Sequence, residues 1–398
     1  MISSARLDTL LSETVSAARI REDRELDATM NGSSAGLVLF GAGGLGRKIA
    51  AALRSFGIVP AAFSDNHASL WGKRVEGLEV LSPPEAVRRY GERCTFVVTI
   101  WHPEPYSAVV AVQHQLRRLG CRRIATFPLV MWKYAGALLP LYLWDLPSKL
   151  LAEADEIRAA FELFDESASQ AEFLGQLRLR LWADFAALPP PCPSPQYFPE
   201  GVFQLHSEEC FIDCGAYVGD TIRSFVDQNG GRFRRIVAFE PDPENFAQLE
   251  RMLLETNELR VRAAAFPMAV AAESGIAHFD ATGNTSAAIA SSGKLLIPVR
   301  TLDELLDGET PTFLKMDVEG AEYDALRGAT RVVRQHKPLL AVCAYHRPQD
   351  LWRIPRLLHE LVPDARLILR PHCADGFDLV CYAVPPARCR ELAKDVET

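Results

Sequence analysis

The chain has 398 residues, of which 48% are hydrophobic and 24% charged, and its formal net charge is −8. This length and composition exclude a disordered chain and allow two or three domains with hydrophobic cores. The acidic balance argues against broad binding to nucleic-acid phosphates, which requires an excess of lysine and arginine.

The cysteines and the apolar runs indicate in which cellular compartment the protein is expected. The nine cysteines form no paired Cys-x-x-Cys pattern, and we interpret them as free thiols of a reducing compartment. Residues 1–35, a predicted helical segment, mix acids into their apolar positions and lack the core of a secretion signal. The apolar run at 136–146 is too short to span a bilayer and contains Pro140 and Asp145. We therefore expect a cytoplasmic protein without a membrane span.

The first predicted domain, residues 36–140, starts with an apolar strand, a glycine turn and a helical pattern. Gly41, Gly43 and Gly46 meet the spacing of a dinucleotide-binding turn, and Asp65 ends the next strand, 19 residues after Gly46. The pattern predicts a Rossmann-like domain whose turn holds a phosphate-bearing ligand, either a nucleotide or a nucleotide-sugar, with Asp65 on a ribose. A turn needed only for tight packing of strand and helix is the alternative.

Residues 141–196 are predicted to form a helical bridge and a proline-rich linker. Apolar positions recur every three or four residues between 148 and 188. Six prolines between 189 and 199 then stop the helix and favour an extended chain. A second domain, residues 197–390, is expected to follow.

Two strands at the start of the second domain end in acids. Asp213 closes an apolar strand ahead of a turn containing Gly215 and Gly219, which let the backbone approach a ligand. Glu240 closes the next strand, 27 residues after Asp213, where a carboxylate can accept both hydroxyls of a ribose. The spacing predicts a crevice for a nucleoside-containing cofactor.

Later strands of the same domain add acids and histidines. One strand ends in DVEGAE, with Asp317 and Glu319, and two more are followed by His346 and His372. If these strands are neighbours in a parallel sheet, their carboxyl ends share one edge, and Asp317, His346 and His372 could meet there. For Asp317 and Glu319 the alternative is capping of a helix, and for His346 a purely structural hydrogen bond.

Five fragments in this order carry a family resemblance: DCGAYVGDT, AFEPDP, AVAAESG, VRTLDELL and KMDVEGAE. Together they resemble the FkbM-type methyltransferases, within the class I enzymes that use S-adenosylmethionine (SAM), over roughly residues 197–386. Tyr217 stands where many class I enzymes have a glycine. The resemblance implies a C-terminal class I methyltransferase domain. With the N-terminal Rossmann-like pattern of the first domain, it predicts an α/β fold with two doubly wound sheets.

The resemblance also implies roles for individual residues. SAM would be bound by Asp213, Gly215, Tyr217, Gly219 and Glu240. Its adenine edge would face Ala269 and Val270. The reaction would be O-methylation of a sugar hydroxyl in a polysaccharide, glycolipid or glycosylated metabolite, so the expected partner is a small-molecule or glycan acceptor.

The residues expected on the acceptor side of the site can be inferred from the chemistry of a hydroxyl, which must lose a proton when it is methylated. An imidazole with a pKa near neutral can take its proton, so His346 is the preferred general base, oriented by Asp317 or Glu319. The same three side chains could coordinate a divalent metal ion that polarises the hydroxyl, and the sequence leaves this open. Candidate hydrogen-bonding residues on the acceptor side, each with a plain-loop alternative, are Tyr197, Asn284, Thr285 and Ser286.

Two other interpretations of the whole chain stay open. The first glycine turn with Asp65 suits a nicotinamide-dependent oxidoreductase, although this domain lacks an evident catalytic Tyr and Lys spacing. Alternatively, the first domain senses a nucleotide and the second is inactive. The sequence does not determine the oligomeric state.

Overall fold

The protein is described by a computed structural model that covers residues 4–30, 36–281, 288–289 and 293–389. Two parallel-rich sheets flanked by helices dominate it, which confirms the predicted α/β class with two doubly wound sheets. Among the described helices, none combines the length and apolar character needed to cross a bilayer.

The first sheet has six strands in the order β3-β4-β2-β1-β5-β6. Their bounds are β1 Leu37–Phe40, β2 Ala62–Ser64, β3 Arg74–Val75, β4 Leu78–Leu81, β5 Thr95–Val98 and β6 Ile124–Thr126. All neighbours pair in parallel except β3 with β4. Strands β1, β2 and β5 are short apolar runs buried throughout, as expected where helices cover both faces of a sheet.

Ten helices of the first half and the middle of the chain are described, in chain order. They are α1 Ser4–Leu10, α2 Val15–Met30, α3 Gly44–Ser55, α4 Pro83–Tyr90, α5 Ala108–Arg118, α6 Phe127–Lys133, α7 Ala135–Leu138, α8 Pro147–Ala152, α9 Ala154–Phe161 and α10 Ser167–Trp182. The helical pattern predicted between 148 and 188 is therefore present as α8, α9 and α10. The last of these ends at Ala183, whose φ of 51° leaves the helical region.

Strands of the remaining chain form two further sheets. They are β7 Cys210–Cys214, β8 Arg235–Phe239, β9 Ala263–Phe266, β10 Ala269–Val270, β11 Gly275–Asp280, β12 Ala288–Ile289, β13 Leu295–Arg300, β14 Phe313–Met316, β15 Leu339–Cys343, β16 Arg366–Pro371 and β17 Leu379–Val384. A small sheet has the order β10-β13-β11-β12, and the large one β16-β17-β15-β14-β7-β8-β9. In the large sheet only β17 runs antiparallel to its neighbours.

The helices around these sheets are α11 Asp220–Gln228, α12 Pro243–Leu253, α13 Asn257–Arg262, α14 Leu302–Leu305, α15 Glu322–Arg327, α16 Thr330–His336 and α17 Asp350–Leu361. From β7 the chain first builds towards β8 and β9, and it returns to add β14 on the other side of β7. This reversal opens a crevice at the carboxyl ends of β7 and β14, which is where open α/β sheets bind ligands.

Each large sheet has its own hydrophobic core. Helices α9 and α10 contribute Phe161 and Phe173 to the core of the second sheet. The core of the first sheet takes in Leu26 of α2 and Trp144. Helix α10 also packs on the edge strand β16, so the middle of the chain is joined to the second sheet.

Candidate functional site

The turn after β7 lies directly against the end of β14. Gly215 has a φ of 80°, and a β-carbon there would overlap the carbonyl oxygen of Asp317, so glycine is required for this close approach. Gly219 also has a positive φ, of 87°, and precedes α11. Tyr217, between them, adopts a φ of 48° without being glycine. The turn and the acidic end of β14 therefore form one edge of the crevice.

Glu240, at the end of β8, is tied to the same turn. Its carboxylate accepts hydrogen bonds from the backbone amides of Tyr217 (2.8 Å) and Asp242 (2.9 Å), and the residue is only 5% exposed. Burial raises the pKa of Glu240 to about 7, although both amide donors oppose the shift. Glu240 thus joins two neighbouring strand ends, and its place beside a nucleoside stays a prediction.

Asp213 is fully buried beneath the turn, beside a lysine that the sequence reasoning did not single out. Lys315 Nζ of β14 lies 2.9 Å from Asp213 Oδ1 and donates a hydrogen bond to the carbonyl of Gly215 (2.7 Å). Burial raises the pKa of Asp213 to about 6 against the opposing effect of Lys315. Lys315 could have been found from its place inside the apolar run FLKM. A strand of this kind is buried, and a buried ammonium needs an anionic partner. The contact of Asp213 with a cofactor stays a prediction.

Three predicted acceptor-side residues come together in one cluster, which we call the acceptor cluster: Asp317, Glu319 and His346. His346 Nε2 lies 3.5 Å from Asp317 Oδ1 and 3.7 Å from Glu319 Oε1. On the other side of the ring, His346 Nδ1 lies 2.8 Å from Glu322 Oε1. Glu322 in turn accepts the backbone amides of Val318 (2.8 Å) and Gly320 (3.0 Å), so the ring is held in a fixed orientation.

The charges in the acceptor cluster differ from the sequence-based expectation. Burial alone would lower the pKa of His346, but Glu322, Glu319 and Asp317 raise it to about 10. Burial raises the pKa of Glu319 to about 7. For Asp317, burial is outweighed by Lys315 and His346, which hold its pKa below the ordinary value. The three carboxylates therefore favour the imidazolium form of His346, and its predicted role as general base stays a prediction.

Two tyrosines from outside the second sheet border the cluster. Tyr197 donates from its hydroxyl to Asp317 Oδ2 (2.6 Å) and is 3% exposed, so its predicted place near the acceptor residues agrees with the structure. Tyr142 OH lies 3.5 Å from Glu319 Oε2, and its ring centre is 6.0 Å from that of His346. No signal in the sequence pointed to Tyr142, since nothing local links it to Glu319, which lies 177 residues further along the chain.

His372 does not join the cluster, and the expectation that it would meet Asp317 and His346 is wrong. Its Nε2 lies 2.8 Å from the hydroxyl of Tyr382, and its Nδ1 lies 3.4 Å from the carbonyl of Ser194. The reason is the strand order, because β17 is inserted between β15 and β16. Burial also lowers the pKa of His372 to about 4.

The other predicted contacts of the second domain lie elsewhere. Ala269 and Val270 form β10 and are 9% and 2% exposed, and their place at an adenine edge stays a prediction. Asn284, Thr285 and Ser286 lie outside the described residues.

The first glycine turn has the predicted strand, turn and helix around it. A β-carbon at Gly46 would overlap the carbonyl oxygen of Gly41, whereas one at Gly43 would meet no atom within 4 Å. The carboxylate of Asp65 accepts the backbone amides of Ala42 (2.8 Å) and His67 (2.8 Å). A cavity of about 360 Å³ opens beside this turn. Close packing accounts for Gly46, and a ligand in the cavity stays a prediction.

Comparisons with known proteins agree with the motif-based interpretation. Residues 213–377 match the family model of the methyltransferase FkbM domain, a range that starts at Asp213 and leaves out the first sheet. No curated protein matches the sequence.

Solved structures extend the likeness to the fold. A methyltransferase FkbM from Methylobacillus flagellatus is similar with a TM-score of 0.76 and 22% identity, over 95% of this chain and 99% of that one. Weaker similarity links the chain to a fibrillarin from Aeropyrum pernix bound to SAM (TM-score 0.30, 15% identity, 46% of this chain and 71% of that one). A precorrin-6y C5,15-methyltransferase from Geobacter metallireducens has a TM-score of 0.29 at 10% identity, over 45% of this chain and 80% of that one. The first of these establishes the class I methyltransferase fold.

Proposed function

We propose that this chain, whose residues 213–377 form an FkbM methyltransferase domain, is a SAM-dependent O-methyltransferase. Its acceptor is a hydroxyl of a sugar in a polysaccharide, glycolipid or glycosylated metabolite, the class that the family resemblance implies. The match to the FkbM domain carries the proposal, because the matched range contains Glu240 and the whole acceptor cluster.

The crevice between β7 and β14 suits an adenosyl cofactor. Gly215 lets the turn after β7 pack against the carbonyl of Asp317, which a β-carbon would prevent, and so keeps the ends of β7 and β14 together. Glu240 uses its two oxygens for two amides, and a carboxylate oxygen accepts more than one hydrogen bond, so ribose hydroxyls can still donate to it. Asp213 and Lys315 support the turn from below.

Methyl transfer requires alignment and removal of one proton. When bound, SAM would supply a methyl group on a positively charged sulfur for in-line displacement by the acceptor oxygen, with the S–C electron pair remaining on sulfur. The acceptor cluster, next to the turn, holds the hydroxyl in line. Its side chains then take the hydroxyl proton.

The charge states indicate which group receives that proton. The neighbouring carboxylates raise the pKa of His346 to about 10 and so favour its protonated form. Glu319, with a pKa of about 7, is the carboxylate closest to the pH at which a general base works best. We therefore assign proton acceptance to Glu319, with His346 and Asp317 as the neighbours that set its charge and position; the group titrates as a unit.

The first prediction tests the cofactor site. Glu240→Ala removes the charged acceptor for ribose and should weaken SAM binding by about 2–4 kcal/mol, roughly 30- to 1000-fold. Isothermal titration with SAM and with S-adenosylhomocysteine measures this. Glu244→Ala, an exposed position in the first turn of α12, is the matched control and should bind like the wild type. Equal affinity of folded Glu240→Ala and wild type would reject the site, and a wild-type protein that binds neither ligand would reject the proposed function.

A further inference from the structure

Two buried polar atoms of the acceptor cluster have no hydrogen-bond partner among the described residues. They are His346 Nε2 and Asp317 Oδ1. The His346 side chain is 1% exposed, and its Nε2 is directed at Asp317 and Glu319, at 3.5 and 3.7 Å, too far for strong hydrogen bonds. Leaving buried polar atoms without partners is costly, so the gap between these three side chains requires an explanation.

The spacing in this gap is that of ligands around one ion. One ligand atom from each of Asp317, Glu319 and His346 lies within 4.8 Å of the other two. Ligands placed ~2.0–2.4 Å from a cation are themselves roughly 3–4 Å apart. The two measured separations from His346 Nε2 fall in that interval.

The surroundings orient two of the three ligands, His346 and Asp317, towards the gap. Glu322 takes the Nδ1 side of His346, which leaves Nε2 as the ring nitrogen that faces the cluster. A carboxylate on the far nitrogen of the ring is the usual partner of a metal-binding histidine. Tyr197 donates a hydrogen bond to Asp317 Oδ2, which leaves Oδ1 as the oxygen that faces His346 Nε2 across the gap.

We propose that Asp317 Oδ1, Glu319 Oε1 and His346 Nε2 bind a divalent cation. Two carboxylates and one imidazole form a mixed oxygen and nitrogen set, which suits a first-row ion such as Mn²⁺ better than Mg²⁺, with its preference for oxygen. On binding, the proton of His346 is released to solvent, because the ring nitrogen must be free to coordinate.

The cation also has a use in methyl transfer, and this use, unlike the binding itself, rests on the proposed function. An acceptor hydroxyl coordinated to the cation loses its proton more readily. Coordination through Oε1 would lower the pKa of Glu319 from the value of about 7 that it has without an ion. The cation itself would then activate the hydroxyl, whose proton would pass to Glu319 Oε2, on the side of Tyr142, or to water.

The second prediction is tested by titrating chelator-treated full-length protein with Mn²⁺ and measuring free Mn²⁺ by electron paramagnetic resonance. One site per chain is expected, with at least tenfold weaker binding in Glu319→Gln and in Asp317→Asn. Glu250→Gln, an exposed position on α12, should match the wild type. Circular dichroism of each variant checks the fold.

SAM binding in the same samples separates the two proposals. Wild-type protein that binds SAM but no Mn²⁺, or Mn²⁺ binding that is equal in Glu319→Gln and Glu250→Gln, would overturn the cation site and leave the proposed function intact. Wild-type protein that binds Mn²⁺ at this site but not SAM would support the cation site and overturn the proposed function.

Discussion

At the scale of single residues, the pair of Asp213 and Lys315 is the buried ionic contact on which the turn after β7 depends. Both side chains are 2% exposed or less, and the ammonium also donates to Gly215 O. Burial alone would lower the pKa of Lys315, but Asp213 and Asp317 keep it above its ordinary value. The charge at this position is therefore retained at any pH at which the protein works.

The third prediction concerns this pair. Lys315→Met leaves the carboxylate of Asp213 buried without its cation, and we expect a loss of about 3–5 kcal/mol in the free energy of unfolding. Lys337→Met removes an exposed pair with Asp364 and should cost at most about 1 kcal/mol. Denaturation in urea compares the two variants, and a loss in Lys315→Met as small as in Lys337→Met would contradict the assignment.

At the scale of elements, the two glycine turns are built alike. In each, an acid at the end of the second strand accepts an amide in the turn after the first strand: Asp65 bonds Ala42 N, and Glu240 bonds Tyr217 N. Each acid also accepts the amide two residues further along the chain. In both turns the acid therefore has a structural role, which is to hold the backbone of the turn. A contact with ribose would be a second role of the same carboxylate.

The fourth prediction separates packing from binding at the first turn. Gly46→Ala forces a β-carbon into Gly41 O and should destabilise the protein, whereas Gly43→Ala has open space and should leave the melting temperature within a few degrees. If the turn binds a phosphate-bearing ligand, Gly43→Ala should weaken that binding by hindering the approach to the backbone.

Thermal shifts of the full chain with NAD, NADP, CoA and nucleotide-sugars provide the measurement. A shift with one of these ligands that Gly43→Ala reduces would support the phosphate site. No shift with any of them would leave only the packing role. NAD binding at this turn would also bring the oxidoreductase alternative back into consideration.

At the scale of the whole molecule, the loop between β16 and β17 joins the two large sheets. Asp375, 1% exposed with a φ of 57°, accepts hydrogen bonds from Ser107 Oγ and Val109 N at the start of α5. Its carbonyl accepts Trp101 Nε1 at 2.9 Å, and Trp101 packs on Phe377 with ring centres 4.4 Å apart. This contact holds the segment that carries Tyr142 near the acceptor cluster, since Trp101 also packs against Tyr142.

The fifth prediction follows from that contact. Asp375→Ala removes a helix cap and buried hydrogen bonds between the sheets, and we expect a loss of about 1–3 kcal/mol. Scanning calorimetry should show the unfolding of the two sheets becoming less cooperative. Asp364→Ala, at an exposed position, is the control and should leave the transition unchanged. A single transition at the wild-type temperature in Asp375→Ala would contradict a role of this loop in joining the sheets.

The sequence by itself determined the local units of this protein. Apolar runs, glycine turns and helical periodicity predict the strands, turns and helices around both glycine turns, because those patterns depend on near neighbours. The acids at strand ends, including Glu240 and Asp317, were found in the same way. The order of the motifs also indicated the FkbM domain that the family model confirms.

Only the tertiary structure decided which of these residues meet. Strand order placed β17 beside β15 and so excluded His372, and long-range packing brought Tyr142 and Tyr197 to the acceptor cluster. Three carboxylates from other segments raise the pKa of His346 to about 10 against the opposing effect of burial, which no local pattern indicated. Contacts between distant segments, and the desolvation that accompanies them, depend on the complete fold, which no local pattern encodes.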